Sequence, residues 1–502
     1  MSSYKPVIYL ILFLSSLFFC STKSDQQGYK TISIRDFNVL PENDAQANKV
    51  NLQKAIDWAS ERGAALFVEP SETAYPVEGG IILKKNVSHI GVHGPTPRGS
   101  LFRSQSCSDN HQNINYFFDE TGISRENLEN YLHRSVTMAE FLTVDPYCND
   151  GFYPDKERDV KLIQNIGAKF IGRAIYRWGD EGDFNTPDFL DNAEKLVTEV
   201  HANDPDVVFQ AALFEAVTTE VNSIEVPEWV FAEFALPYEK RNFRYVEMLN
   251  RNGKYVDLWG NNASVPDITR TETQLWFMFL AGTYMHIGCE ALHLGQIALI
   301  GIEDSNFEHW GEMLDKIRSY AKKHARRNWV LLDAHTPAGG MVINGKSLLD
   351  FNSFPLRIKE IPDKPQQSVL EMGYLDSFFG RSEGGITPSG WECASLPYLV
   401  ELDNFGVSDR PGEAATDSHY VWGYDEITWF CLQEEGYRKE WLRYAYDWIR
   451  ENDPNGFLQM PVCRIMVTGD RQPVRKCHAN TRTADFPQGL NLEETIKDIW
   501  LH

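Results

Sequence analysis

Residues 306–337 read NFEHWGEMLDKIRSYAKKHARRNWVLLDAHTP, and this stretch holds one full repeat of the pattern that decides the fold. Phe307, Trp310, Met313, Leu314, Ile317 and Ala321 recur at three- and four-residue spacing, which predicts a helix over 306–326 with one apolar stripe. The run NWVLLDAHTP (328–337) is short and apolar, ends at a proline, and predicts a buried strand leading to Asp333 and His335. Seven further stretches read as strands: 135–142, 168–179, 206–216, 282–295, 347–354, 397–406 and 456–466. Amphipathic helices are expected between them at 155–166, 187–201, 271–281 and 434–451. Strands alternating with helices imply a parallel sheet, and eight strands imply an α/β protein of the (β/α)8 TIM-barrel class over residues 130–502. The alternation weakens after the fifth strand, where PAGGMVINGK reads as a hairpin and SVLEMGYLD (368–376) as a possible extra strand.

The 502 residues carry 48 Lys+Arg against 71 Asp+Glu, a formal charge of −23. Such a surface repels polyanions, so nucleic acid is not an expected partner. An apolar share of 42% excludes a disordered chain. The 13 Trp and 21 Tyr, set among carboxylates, suit a saccharide cleft, where sugar C–H faces stack on rings and hydroxyls bond to acids.

Residues 7–19 (VIYLILFLSSLFF) are apolar, follow Lys5, and are too short to span a bilayer; residues 1–20 are therefore expected to be a secretory signal peptide. Cys20 follows at once and is a candidate lipid attachment point, although Phe19 stands where a small residue is preferred. The expected location is periplasmic, outer-membrane lipoprotein or extracellular. The other seven cysteines include no C-x-x-C pair, so neither a structural zinc site nor a dense disulfide framework is expected. One bridge fits an exported chain, with Cys107–Cys148 an option that spacing does not fix.

Asp36-Phe37, the helix around Ala55-Ile56-Asp57, Phe67-Val68-Glu69-Pro70, Tyr75 and residues 81–94 resemble the opening segment of pectate-lyase-like proteins. Asn38 departs from that pattern, which has glycine there. The resemblance implies a small N-terminal α+β module over 28–100, ahead of the barrel. LLDFNSFPLRIKEIP and SLPYLVELDNFG resemble an uncharacterised bacterial exported family, which implies no activity.

Barrel active sites form at the C-terminal ends of the strands. Glu290 and Glu401 stand on the fourth and seventh predicted strands, where retaining barrel glycosidases carry their acid/base and nucleophile. That resemblance implies Glu290 as acid/base and Glu401 as nucleophile. Asp403 shares a strand face with Glu401 and rivals it; Glu215 is the reserve acid. Arg173, Arg177, His293, Asp333 and His335 are candidates for binding an anionic sugar, and Trp178, Trp422 and Tyr424 for stacking. Asp333-Ala-His335 lacks a third metal ligand, and no nucleotide, zinc-protease or serine-hydrolase motif is present. No cofactor or metal is expected. The expected function is a secreted glycoside hydrolase acting on a polysaccharide or oligosaccharide; the alternatives are a polysaccharide lyase acting on a uronate-containing glycan and a non-catalytic glycan-binding surface protein.

Overall fold

The computed structural model describes residues 31–62, 64–68, 71, 75–77, 88–91, 102–104, 115–143, 156–336, 338–415, 418–468 and 475–501. The expected signal run, Cys20, Cys107 and Cys148 lie outside them. The chain divides into two compact units, Met1–Asn113 and Ile114–His502.

In the first unit, Thr31–Ser33, Ala65–Val68 and Ser88–Gly91 make a parallel three-stranded sheet in that order. Helix Ala45–Arg62 buries Leu52, Ala55, Ile56 and Ala59 against it. Asn38 has φ 61° and closes a short helical turn, Ile34–Phe37. Asparagine tolerates this left-handed conformation better than most residues, so it can stand where the pattern has glycine.

The second unit is built on a curled, mostly parallel sheet of ten strands: β1 Ser135–Met138, β2 Phe170–Ile175, β3 Val208–Ala212, β4 Ala291–Gln296, β5 Leu331–His335, β6 Asn352–Pro355, β7 Tyr398–Glu401, β8 Gly456–Leu458, β9 Met460–Met466 and β10 Arg475–His478. The order in space is β8-β7-β6-β5-β4-β3-β2-β1-β9-β10, and all neighbours are parallel except β9 and β10. Gln459 alone separates β8, which pairs with β7, from β9, which pairs with β1. Each of the eight predicted strands contributes to this sheet. Helices α1 Glu157–Ile166, α2 Pro187–Asn203, α3 Thr271–His286, α4 Glu308–His324, α5 Glu426–Leu432 and α6 Glu435–Asn452 connect them. The α4 stripe is buried as its spacing requires, through Trp310, Met313, Leu314, Ile317 and Ala321. Met313, Leu314 and Ile317 each contribute roughly 1.5–3 kcal/mol by leaving water.

One boundary differs from expectation. Residues 282–286 are helical, because α3 continues to His286 and β4 starts only at Ala291. This helix is buried almost all round, so its sequence has no polar face to separate it from a strand. Between β5 and β7 the described residues hold no helix. The expected hairpin is present there, Val342–Ile343 against Lys346–Ser347, turning through Asn344 (φ 49°) and Gly345 (φ 76°). The possible extra strand over 368–376 is reduced to Ser368–Val369, paired with Lys359–Glu360.

The two-residue period of the strands sorts the sheet interior into layers. Phe170, Val208, Ala291, Leu331, Phe351, Leu399 and Phe457, at the strand starts, pack with Phe118, Leu128 and Tyr131 into an apolar plug. Two residues further along, the inward positions are Thr137, Gly172, Gln210, His293, Asp333, Ser353, Glu401 and Gln459. All but glycine are polar and all those side chains are buried. The candidate site stands on this second layer.

Candidate functional site

Glu401 ends β7 and is 3% exposed. Arg173 bonds one of its oxygens, Arg464 bonds the other at 2.7 Å, and His335 Nε2 lies 3.2 Å from the first. Burial alone would raise its pKa. Arg173 first, then Arg464 and His335, hold it well below the usual carboxylate range. Arg173 reaches it because β2 bulges there: its φ is 55°, and the β2–β3 register shifts between Phe209 and Ala211. A bulge of this kind re-aims a side chain that regular alternation would send outward.

A second set adjoins it. Asp333 accepts from Gln210 Nε2 (2.6 Å) and Ser353 Oγ (2.5 Å), and its Oδ2 lies 2.7 Å from His293 Nδ1. His293 Nε2 is buried and has no hydrogen-bond partner among the described residues. Burial lowers the His293 pKa against the opposing pull of Asp333, which favours the neutral ring. The rings of His293 and His335 are 4.9 Å apart, so the two sets touch.

Two other carboxylates stand at this end. Glu215, past the end of β3, accepts from the backbone and side-chain nitrogens of Gln296, both at 2.9 Å. Gly295 beside it has φ 62°, and a β-carbon there would come within 2.2 Å of a Glu215 oxygen. Asp403 is half-buried; its N–H donates to Glu426 (3.0 Å), and its charge raises the pKa values of Arg173 and Arg357. Aromatic rings flank the set: Phe214 under the Arg173 guanidinium (5.3 Å), then Trp178 (5.4 Å from Phe214), then Trp259 (5.1 Å from Trp178).

The sequence reading thus finds Arg173, His293, Asp333, His335, Glu401, Asp403, Glu215 and Trp178 gathered at the C-terminal ends of the strands. Four candidates go elsewhere. Glu290 precedes β4, at the opposite end of the sheet from Glu401, and is bonded to Arg326 (2.8 Å) and Arg327 (3.0 Å). The premise that it leaves a strand fails because β4 starts later than expected, and the pair Glu290–Glu401 is not brought together. Arg177 is buried between sheet and helices, 3.3 Å from Glu140 and 3.0 Å from Asp183, over the Phe189 ring of α2. Trp422 is buried, with its indole N–H donated to Gln367 O (3.1 Å), and Tyr424 is half-buried against the main core. Gln210, Ser353, Gln459 and Trp259 were not among the candidates. Gln210 had a signal: a lone polar residue, two positions from Val208, inside the apolar run VVFQAALF.

The single disulfide among the described residues joins Cys431 of α5 to Cys477 of β10, a pairing that the sequence spacing did not suggest. No group of three or more metal-ligating side chains occurs among the described residues, and no described helix is long and apolar enough to cross a membrane.

No protein-family model matches this sequence, and no curated protein sequence matches it. Solved structures do match. The cyclic α-maltosyl-(1→6)-maltose hydrolase of Arthrobacter globiformis, in complex with maltose, is similar over 74% of this chain and 83% of its own, at 11% identity and TM-score 0.41. The debranching enzyme of Nostoc punctiforme is similar over 45% of this chain and 52% of its own, at 14% identity and TM-score 0.28. An α-galactosidase of Thermus thermophilus is similar over 48% of each chain, at 13% identity and TM-score 0.28. The chain thus spans about half the length of the Nostoc and Thermus chains. These are partial superpositions at low identity. The pectate-lyase-like resemblance of the N-terminal segment finds no support in these comparisons.

Proposed function

We propose that the protein is a glycoside hydrolase, exported by the leader over residues 1–20, whose catalytic unit is a (β/α)8 barrel with β8 and β9 acting as one interrupted strand. The observation that carries this is Glu401: a buried carboxylate at a strand end, held ionised, with further carboxylates and a line of aromatic rings at the same end. Glycoside hydrolysis needs one ionised carboxylate, to attack the anomeric carbon or activate water, and one carboxylic acid to protonate the leaving oxygen. Glu401 fits the first role. Glu215 and Asp403 are the candidates for the second, replacing Glu290. The test is release of new reducing ends from a panel of neutral and acidic polysaccharides by the wild type, Glu401→Gln, Glu215→Gln and Asp403→Asn. Activity that survives Glu401→Gln refutes the assignment.

One observation favours a second reading, eliminative cleavage of a uronate chain. With Nδ1 held by Asp333, His293 presents Nε2 as an acceptor, the form in which imidazole removes a proton. That reading requires ultraviolet-absorbing unsaturated products and their loss in His293→Gln.

A further inference from the structure

The insertion between β3 and α3 contains the loop over residues 251–262, which is exposed along most of its length. Apolar side chains there stand in solvent: Val256 is 39% exposed, Leu258 45% and Trp259 36%. Exposed apolar side chains clustered in this way mark interaction or ligand sites, where a single one would not. The loop backbone is nonetheless fixed. Tyr255, Asp257 and Asn262 all have positive φ, which costs conformational energy at non-glycine residues. Hydrogen bonds hold these conformations: Asp257 N–H to Ser264 Oγ (2.8 Å), Asn262 N–H to Asp257 Oδ1 (2.8 Å) and Val265 N–H to Tyr255 O (3.1 Å). The Trp259 indole N–H is tied to Glu215 O at 2.8 Å, and its ring meets Trp178 edge to face at 5.1 Å. A strained, hydrogen-bonded loop therefore holds one indole in place, tied to the backbone of Glu215 and in contact with Trp178.

We infer that Trp259, backed by Trp178, is a subsite that stacks on a pyranose ring of the substrate chain, away from the bond being cleaved. The inference rests on the glycoside-hydrolase reading and names the saccharide as the occupant of this apolar patch. Three features select a sugar. The ring offers a flat apolar face to C–H groups. Asp257, Asn261 and Asn262 are exposed within four residues of it as partners for hydroxyls. The patch is joined to Glu215 through Trp259 itself.

The test uses the full chain carrying Glu401→Gln, so that ligand is bound and not consumed. It is titrated calorimetrically with hexasaccharides of α-1,4-glucan, β-1,4-glucan, β-1,4-xylan and α-1,4-galacturonan. For whichever hexasaccharide binds, adding Trp259→Ala is expected to weaken binding by about tenfold, the scale of a lost aromatic contact. Trp259→Phe is expected to recover most of the affinity, and Val246→Ala, at a 76% exposed position elsewhere on the insertion, to leave it unchanged. Equal binding by Trp259→Ala and its parent overturns the subsite and leaves the hydrolase reading standing. Absence of binding by every hexasaccharide, together with absence of cleavage by the wild type, overturns both. If Trp259→Ala instead converts a dimer to a monomer in sedimentation, the patch is an interface between copies and the proposal is wrong.

Discussion

Replacing Glu401 by Gln is expected to destabilise the protein, although removing an active-site charge commonly relieves strain. Among the described residues the carboxylate is the sole ion-pair partner of Arg464 and of Arg173, whose side chains are 4% and 12% exposed. Glutamine can accept from one of them and must turn its amide N–H2 toward the other, leaving a buried guanidinium without its ion-pair partner. Breaking a buried pair from one side costs about 3–5 kcal/mol. At roughly 2 °C per kcal/mol for a unit of this size, the thermal midpoint should fall by about 6–10 °C. Arg464→Met should cost less, about 1.5–3 kcal/mol, because Glu401 keeps Arg173 and His335. The effect depends on pH in a fixed direction. A carboxylate whose pKa is depressed by folding stabilises above its unfolded value, near 4.3, and loses that contribution as pH falls through the folded value. The gap between wild type and Glu401→Gln should therefore narrow below about pH 4. Calorimetry of the three proteins from about pH 3 to 8 measures all of this. A Glu401→Gln variant as stable as wild type at neutral pH would refute the buried-charge argument.

Gly172→Ala should cost about 1–3 kcal/mol, because a β-carbon there meets Gln459 Nε2 at 2.2 Å; adding Gln459→Ser should recover part of it in urea melts. Burial pushes the Asp425 carboxyl up to about 7, so its contribution is present below its unfolded pKa, near 3.9, and is lost as pH rises through about 7. Asp425→Asn keeps an N-cap residue for α5 and should gain stability relative to wild type by up to roughly 1.4 kcal/mol per pH unit between about pH 4 and 7; a constant gap across a calorimetric pH series would contradict the shift. Reducing Cys431–Cys477, which closes a sequence separation of 46, should lower stability by about 2–4 kcal/mol, read as the midpoint difference with and without dithiothreitol.

The parallel sheet and its strands were legible because each αβ unit repeats one pattern, as in α4 and β5. The residues at the strand ends were legible for the same reason: Asp333 and His335 sit two positions apart on one face of β5, and Glu401 is the last residue of β7. Glu290 was misplaced because α3 and β4 form one apolar stretch with no polar face to mark where helix ends. Arg173 was identified without its cause, since a bulge at φ 55° depends on the neighbouring strand. Trp259 was missed because what marks it is its exposure and the company of Trp178, which is 81 positions away in sequence and adjacent in space.

The second interior layer bears on how the chain reaches this state. Thr137 of β1 bonds Gln459, Gln210 of β3 bonds Asp333 of β5, and Arg173 of β2 bonds Glu401 of β7. Those partners lie 322, 123 and 228 residues apart in sequence, so no local stretch can satisfy them early. Until these distant strands have met, any collapsed intermediate holds these groups either in water or unpaired. Assembly of the strands should accordingly be late and all-or-none, with half-built forms kept open and wet by their own polar interior.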